Sequence, residues 1–435
     1  MKKSNFIVDF ESRNGKYYML HTGNGNVISV DIDKKILLTD VLKVPITNER
    51  VSKRLEELGF LISKQLDEFQ VATGKKILSD IKNNYLELII MPTEKCNFRC
   101  VYCYENFEKP EMSEENQNAL IEFVKRQLPN HKGLSIGWFG GEPLLAVGVI
   151  ERLSKAFIDL CKKYKKPYRA GITTNGYLLS RNMFDRLTRL RVTHFQITVD
   201  GDKSIHDKQR VMAGGGGTFD TIIQNIKDIR DYSQSKLWTM SLRTNITRNI
   251  INNRDAFKRD VILPFSHDHR FYIMLRQMWT NHTEEADAIH CSNALFEEFV
   301  EQCDIGYESL YQEYVFSYGS HFTCYAANPN AFVIGSDGTF YKCTCALYDD
   351  VNHIGKIDSN GHIDFDENKF SYWIAPKAYN NTECLSCSQY AACVSKGCPY
   401  KQKEACNQET LNVLRCYIPQ FYHLANDKED FTDLL

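Results

Sequence analysis

Three thiols stand close together in the run PTEKCNFRCVYCY, residues 92–104, where Cys96, Cys100 and Cys103 are spaced C-x3-C-x2-C. A structural zinc site takes four protein ligands, usually as two paired half-sites, and no further Cys or His follows until His131. A [4Fe-4S] cluster held by three thiolates keeps one iron open to a small molecule, so the incomplete set is useful there. Nine more cysteines crowd the last quarter: Cys324, Cys343, Cys345, Cys384, Cys387, Cys393, Cys398, Cys406 and Cys416. Only Cys161, Cys291 and Cys303 lie between, and they are expected as buried, small apolar residues. A large chain without an export signal keeps its thiols reduced, so the clustering favours metal over disulfides. In GGEP, residues 140–143, the glycines permit close backbone approach to a ligand and the carboxylate can accept from an ammonium; the same four residues also suit a plain turn.

These groups need elements to hold them. From Tyr85 onward apolar β runs alternate with helical stretches: LELIIMP, NQNALIEFVKRQL, LSIGWFG, VIERLSKAFIDLCKKY, YRAGITTNG, RNMFDRLTRL, HFQITVDG, TFDTIIQNIKDI and LWTMSLRTNI. Strand, helix, strand in repetition requires crossovers in a parallel sheet, and a complete or partial α/β barrel is its natural closure. The polar signatures follow strand ends directly, where such barrels keep their active sites. Ahead of this, FIVDF, KYYML and VISVDI are short antiparallel strands, and Val51, Leu55, Leu58 and Leu61 form a helical stripe behind a cap at Asn48. This small α+β module is either a packing extension of the barrel or a docking module whose open sheet edge accepts an extended peptide. The cysteine-rich tail has too few apolar side chains to stabilise itself by burial alone, so metal ligation is expected to supply its core. The expected division is 1–82, 83–316 and 317–435.

The 435 residues carry 53 Lys and Arg against 55 Asp and Glu, a formal charge of -2 that offers no field for nucleic acid or an anionic membrane. Hydrophobic residues at 43% and charged ones at 25% fit an ordinary globular protein. The opening MKKSNFIVDFESRNG reaches acidic residues before any signal-length apolar run, and no later run nears ~18 apolar residues. A cytoplasmic protein is expected.

The first cysteine set, with Tyr102 in its aromatic place and GGEP at the next strand end, resembles the radical S-adenosylmethionine (radical SAM) superfamily. The resemblance implies that Cys96, Cys100 and Cys103 hold a [4Fe-4S] cluster whose open iron chelates S-adenosylmethionine. It further implies that Gly140, Gly141, Glu142 and Pro143 bind the methionyl amino group, and that Thr174 and Asn175 before Gly176 meet the ribose. Asp200 and Gly201 end another strand, and His206, Asp207 and Arg210 form the H-D-x-x-R run of relatives with extended tails. Arg210 would neutralise the cofactor carboxylate; turn formation with a surface ion pair is the plainer alternative. The tail is similar to the SPASM extension of peptide-modifying relatives, which implies two auxiliary [4Fe-4S] clusters. Cys324, Cys343 and Cys398 would bind the first, with Cys345 as candidate fourth ligand, and Cys384, Cys387, Cys393 and Cys416 the second. Zinc at the Cys384 and Cys387 pair is the alternative.

Together these imply a maturase acting on a ribosomally made precursor peptide. A winged-helix-like recognition module would bind the leader, a flavodoxin or ferredoxin would supply electrons, and three clusters would serve the chemistry. Thioether formation, as in ranthipeptide and sactipeptide maturases, is the expected outcome. Carbon–carbon crosslinking and sulfatase maturation are the alternatives within the class, and a metal-braced peptide-binding protein is the alternative outside it.

Overall fold

The computed structural model describes residues 1–82, 84–235, 237–278, 284–314, 324–375, 382–393, 417–422 and 429–435. They form two compact units that do not follow chain order: Met1–Lys82 with Leu310–Cys324 and Ala375–Leu435, and Asn83–Ser309 with Tyr325–Ile374.

In the first unit, β1 (Lys2–Lys3) pairs with β5 (Leu61–Ile62), and β2 (Ile7–Glu11), β3 (Lys16–His21) and β4 (Val27–Asp31) make an antiparallel sheet in that order. Alternation along β3 sends Tyr17 and Met19 to one face and Tyr18 and Leu20 to the other, and both faces are buried. The first face packs under α1 (Lys35–Lys43) and α2 (Glu49–Glu57), through Leu38, Leu42, Val51 and Leu55. The second packs on Ile418 and Tyr422. Asn48 caps α2 as expected, its side chain accepting from the Val51 amide at 3.1 Å. Gly59 follows at φ +88°, a left-handed turn that suits glycine. The edge of β4 is not open. Ser29 bridges Asp430 in parallel, so a segment some 400 residues distant in the chain lies along the strand.

The second unit is built on one sheet of β6 (Tyr85–Ile90), β8 (Gly133–Trp138), β9 (Tyr168–Thr174), β10 (Val192–Thr198), β12 (Thr239–Ile246), β13 (Phe271–Gln277), β14 (Ala331–Ile334), β15 (Thr339–Tyr341), β16 (His353–Ile357) and β17 (Ile363–Phe365). The small strands β7 (Phe98–Cys100) and β11 (Arg210–Met212) pair separately. The order is β13-β12-β10-β9-β8-β6-β14-β15-β16-β17, parallel from β13 to β14 and antiparallel beyond. Strands consecutive along the sheet are joined by α4 (Glu114–Gln127), α5 (Val147–Tyr164), α6 (Arg181–Arg189) and α8 (Phe219–Tyr232), with the short α7 (Lys203–Gln209) before β11. This is the α/β architecture that the alternating pattern predicts, and it is a partial barrel. The free side of β6 is taken by β14 rather than β13, so the ring stays open.

Leu86, Leu88, Ile90, Leu134, Ile136 and Trp138 are buried on one side of the strands, each worth about 1.5–3 kcal/mol. The residues between them, such as Glu87, Ser135 and Gln196, line a cavity of about 540 Å³. A parallel sheet buried on both faces reads as continuous apolar runs. Polar residues such as these interrupt the apolar runs on the face that lines the cavity, whose wall is of mixed character, with Ile89 and Phe139 beside Arg169 and Arg243. Among the described residues no helix is long and apolar enough to cross a membrane.

Candidate functional site

The cysteine run lies in the loop after β6 and is pinned by the β7–β11 ladder, where Arg210 pairs with Cys100 and Met212 with Phe98. Cys96 Sγ accepts from the Phe98 amide at 3.4 Å, and the Cys103 amide donates to the Cys100 carbonyl at 3.0 Å. Burial pushes the Cys96 and Cys103 thiols up to about 12. It raises Cys100 as well, against the pull of the neighbouring Arg210 guanidinium. Three half-buried thiols in one loop whose pKa values are raised are poor nucleophiles on their own; coordination to a metal is what would hold them as thiolates. Among the described residues no three His, Cys, Asp or Glu side chains converge as ligands of a single ion must. A cubane takes each sulfur on a different iron, and three thiols on one loop suit such a group.

Beside the loop is a buried polar knot. Tyr102 donates to Asp200 and accepts from Arg210 Nη1 at 2.8 Å and from Asn245 Nδ2 at 3.2 Å. Asp200 Oδ1 accepts the Asn245 amide at 2.8 Å, and its second oxygen lies 3.8 Å from Arg210. Arg210 Nε has no partner among the described residues although it is buried, which leaves a donor for a bound anion. His206 Nδ1 accepts from the Asp200 amide at 3.1 Å, and Asp207 Oδ1 accepts the Thr218 and Phe219 amides at 2.7 and 2.9 Å, capping α8. The H-D-x-x-R run is thus a buried scaffold, not a turn with a surface ion pair.

The GGEP segment ties two strand ends together. A Cβ on Gly140 would lie 2.4 Å from the Thr93 carbonyl oxygen, and one on Gly141 at 2.4 Å from that of Lys95. The glycines are therefore required by the approach of the cysteine loop's own backbone, a packing reason that stands beside the expected approach to a ligand. The Glu142 carboxylate accepts from the Leu144 amide at 3.0 Å, Thr174 Oγ1 at 2.7 Å and the Asn175 amide at 2.8 Å. A carboxylate has about four acceptor sites, so one remains. Burial raises its pKa, and the three donors pull the other way. Pro143 opens the short turn that follows. Asn175 Nδ2 donates to Asn97 at 2.8 Å, binding the β9 end to the cysteine loop.

Residues 90–246 match the family model of the Radical SAM superfamily. This segment is a radical SAM domain. Over 342 residues the chain is 26% identical to a cysteine-type anaerobic sulfatase-maturating enzyme of Clostridium novyi (strain NT), covering 72% of this chain and 87% of that one. It is 25% identical over 231 residues to the radical SAM cyclopropyl synthase TigE of Paramaledivibacter caminithermalis, covering 43% and 47%. Among solved structures, native anSMEcpe with bound AdoMet superposes with a TM-score of 0.59 at 18% identity, over 78% of this chain and 99% of that one, which is a likeness of fold. Radical SAM enzymes use a [4Fe-4S] cluster and S-adenosylmethionine.

The radical SAM domain brings together Cys96, Cys100, Tyr102, Cys103, Gly140, Gly141, Glu142, Thr174, Asn175, Asp200 and Arg210 at the carboxyl ends of its strands. Sequence reading missed Asn97 and Asn245, single polar residues in loops and strand ends that no motif marks. In the tail, Cys343 is buried and Cys345 exposed, and the Cys345 amide donates to Cys343 Sγ at 3.4 Å. Asn352, also missed, organises that loop through the amides of Lys342 and Cys343 and the carbonyls of Cys343 and Ala346. Cys324 is half-buried and belongs to the first unit. There too, Cys384 and Cys387 share one turn, the Cys387 amide donating to the Cys384 carbonyl at 3.1 Å, and Cys393 ends the next short helix. Cys398, Cys406 and Cys416 lie outside the described residues. Cys161, Cys291 and Cys303 are buried, as expected.

Proposed function

We propose that the protein is a radical SAM maturase that modifies a peptide or protein substrate. The observation that carries this reading is the half-buried three-thiol loop seated beside the Tyr102–Asp200–Arg210 knot, at the carboxyl ends of the strands of a partial barrel. Cys96, Cys100 and Cys103 would hold the [4Fe-4S] cluster, which when bound supplies an electron to the sulfonium of S-adenosylmethionine and so yields methionine and a 5'-deoxyadenosyl radical. Glu142 keeps one acceptor site for the methionyl ammonium, and Arg210 keeps a free donor for its carboxylate. Thr174 and Asn175, both hydrogen-bonded to Glu142, would meet the ribose. The lumen walls orient the substrate and shield it from water.

A peptide substrate is supported by the small sheet module and by the likeness to a sulfatase-maturating enzyme over 87% of that enzyme's length. Residues 1–82 would dock the precursor's leader, and the tail would carry two auxiliary clusters in the ligand sets that the SPASM resemblance implies. Within this class we favour a thioether between a substrate cysteine and a carbon, in the cytoplasm, with a flavodoxin or ferredoxin as donor. Sulfatase-type maturation is the second reading, favoured by the length of the match to the Clostridium enzyme.

Anaerobic reconstitution with iron and sulfide, then reductant and S-adenosylmethionine, should give 5'-deoxyadenosine; Cys100→Ala should abolish it. No product from the unaltered chain would leave only a metal-braced binder. On a cysteine-containing precursor, thioether formation shows as a loss of two hydrogens with one fewer alkylatable thiol. An unchanged thiol count in modified peptide rejects it.

A further inference from the structure

The edge of β4 in the first unit is occupied by a strand of the protein's own chain, and the details of that contact describe a recognition code. Ser29 donates its amide to the Glu429 carbonyl at 3.2 Å and accepts the Phe431 amide at 2.8 Å, an isolated bridge beside the five-pair ladders of β2–β3 and β3–β4. Glu429 and Asp430 each meet a cation of the module. Lys16 Nζ reaches Asp430 at 2.5 Å, and Arg54 grips Glu429 with two nitrogens, Nε at 3.2 Å. Phe431 is fully buried among the α1, α2 and sheet residues, with Leu434 and Leu435 against the same cluster. Both cations also touch an acid of the module itself, Lys16 with Asp31 at 3.3 Å and Arg54 with Glu57 at 2.7 Å. They therefore keep partners when the segment leaves.

We propose that residues 429–435 are an internal occupant of a peptide-binding edge, and that the peptide that replaces them presents two acidic residues followed by an aromatic one. The inference rests on the reading that this protein acts on a peptide. Extended segments add to sheet edges through main-chain hydrogen bonds, with alternate side chains giving specificity. Here the specificity would come from the Lys16 and Arg54 charges and the Phe431 pocket. The occupant also protects an edge that would otherwise invite pairing with other chains. Displacement would couple peptide docking to release of residues 429–435.

The test uses the full chain and a fluorescein-labelled synthetic peptide, EDFTDLL. A variant carrying Asp430→Lys and Phe431→Ser should bind the probe at least ten-fold tighter than the unaltered chain. Adding Lys16→Glu, or replacing the first two acids of the probe with amides, should cost that gain. Equal affinity in the two chains, or no binding by the folded variant, overturns the proposal. If the variant does not fold, hydrogen exchange of the unaltered chain decides: excess unlabelled peptide should raise exchange in 429–435 while β4 stays protected, and no change overturns the proposal. Neither readout involves radical chemistry, so a chain that exchanges peptides but makes no 5'-deoxyadenosine would sink only the functional reading.

Discussion

Arg210 stands opposite Cys100 in the short β7–β11 ladder, and its guanidinium donates to the hydroxyl of Tyr102, two residues along the cysteine loop, at 2.8 Å. One side chain therefore fixes the loop's aromatic residue and places a positive charge beside its thiols. Tyr102→Phe should deprive Asp200, Arg210 and Asn245 of their common partner and cost about 1–3 kcal/mol in urea unfolding. Iron content should survive, since no thiol is touched, whereas affinity for S-adenosylmethionine should fall.

Glu142→Gln tests the link between the β8 and β9 ends. The amide keeps one accepting oxygen but turns an N–H toward a donor, either the Asn175 amide or the Thr174 and Leu144 pair. A loss of about 1–3 kcal/mol is expected, with weaker S-adenosylmethionine binding by calorimetry. Glu142→Asp, which shortens the reach, should fail likewise.

His206 makes the site's stability depend on pH. Burial and the nearby Arg210 hold its pKa well below the ordinary 6.5, so the folded ring stays neutral while the unfolded one protonates. Its contribution is present above about pH 6.5 and is lost as pH falls toward the folded value, at about 1.4 kcal/mol per pH unit. Denaturant unfolding between pH 7.5 and 5.5 should show the slope steepen below about pH 6.5, with His21 and His194, also lowered by burial, adding to it. His206→Asn, whose amide oxygen can accept from the Asp200 amide, should lower it by one proton.

Much of this was legible before any coordinates. The alternation from Tyr85 gave the strands and helices of the radical SAM domain, because local period and crossover rules act over a few dozen residues. Asn48 and the Val51–Leu55 stripe gave α2 for the same reason. What escaped notice is non-local. The pairing of β14 with β6 joins residues about 240 apart, and Asp430 reaches Ser29 across some 400. Neither leaves a local pattern. Asn97, Asn245 and Asn352 escaped because a buried asparagine is defined by its partners, not by its neighbours in sequence. The glycines of GGEP stand out in the sequence, and packing adds a second reason for them, the carbonyls of Thr93 and Lys95.

Asn352→Ala should leave two buried amides, those of Lys342 and Cys343, without an acceptor, and cost about 3 kcal/mol. Thermal unfolding would show it. The Cys343 loop should then open, raising alkylation of Cys343 in the iron-free protein, while Cys161 stays unreactive.

Because β14 takes the outer side of β6, the strand that leads into the cysteine loop is hydrogen-bonded along both flanks, while β13 closes the opposite margin of the sheet with one neighbour. The cysteine loop thus leaves from an interior strand, anchored on both sides like β8, β9, β10 and β12, rather than from a margin that can fray.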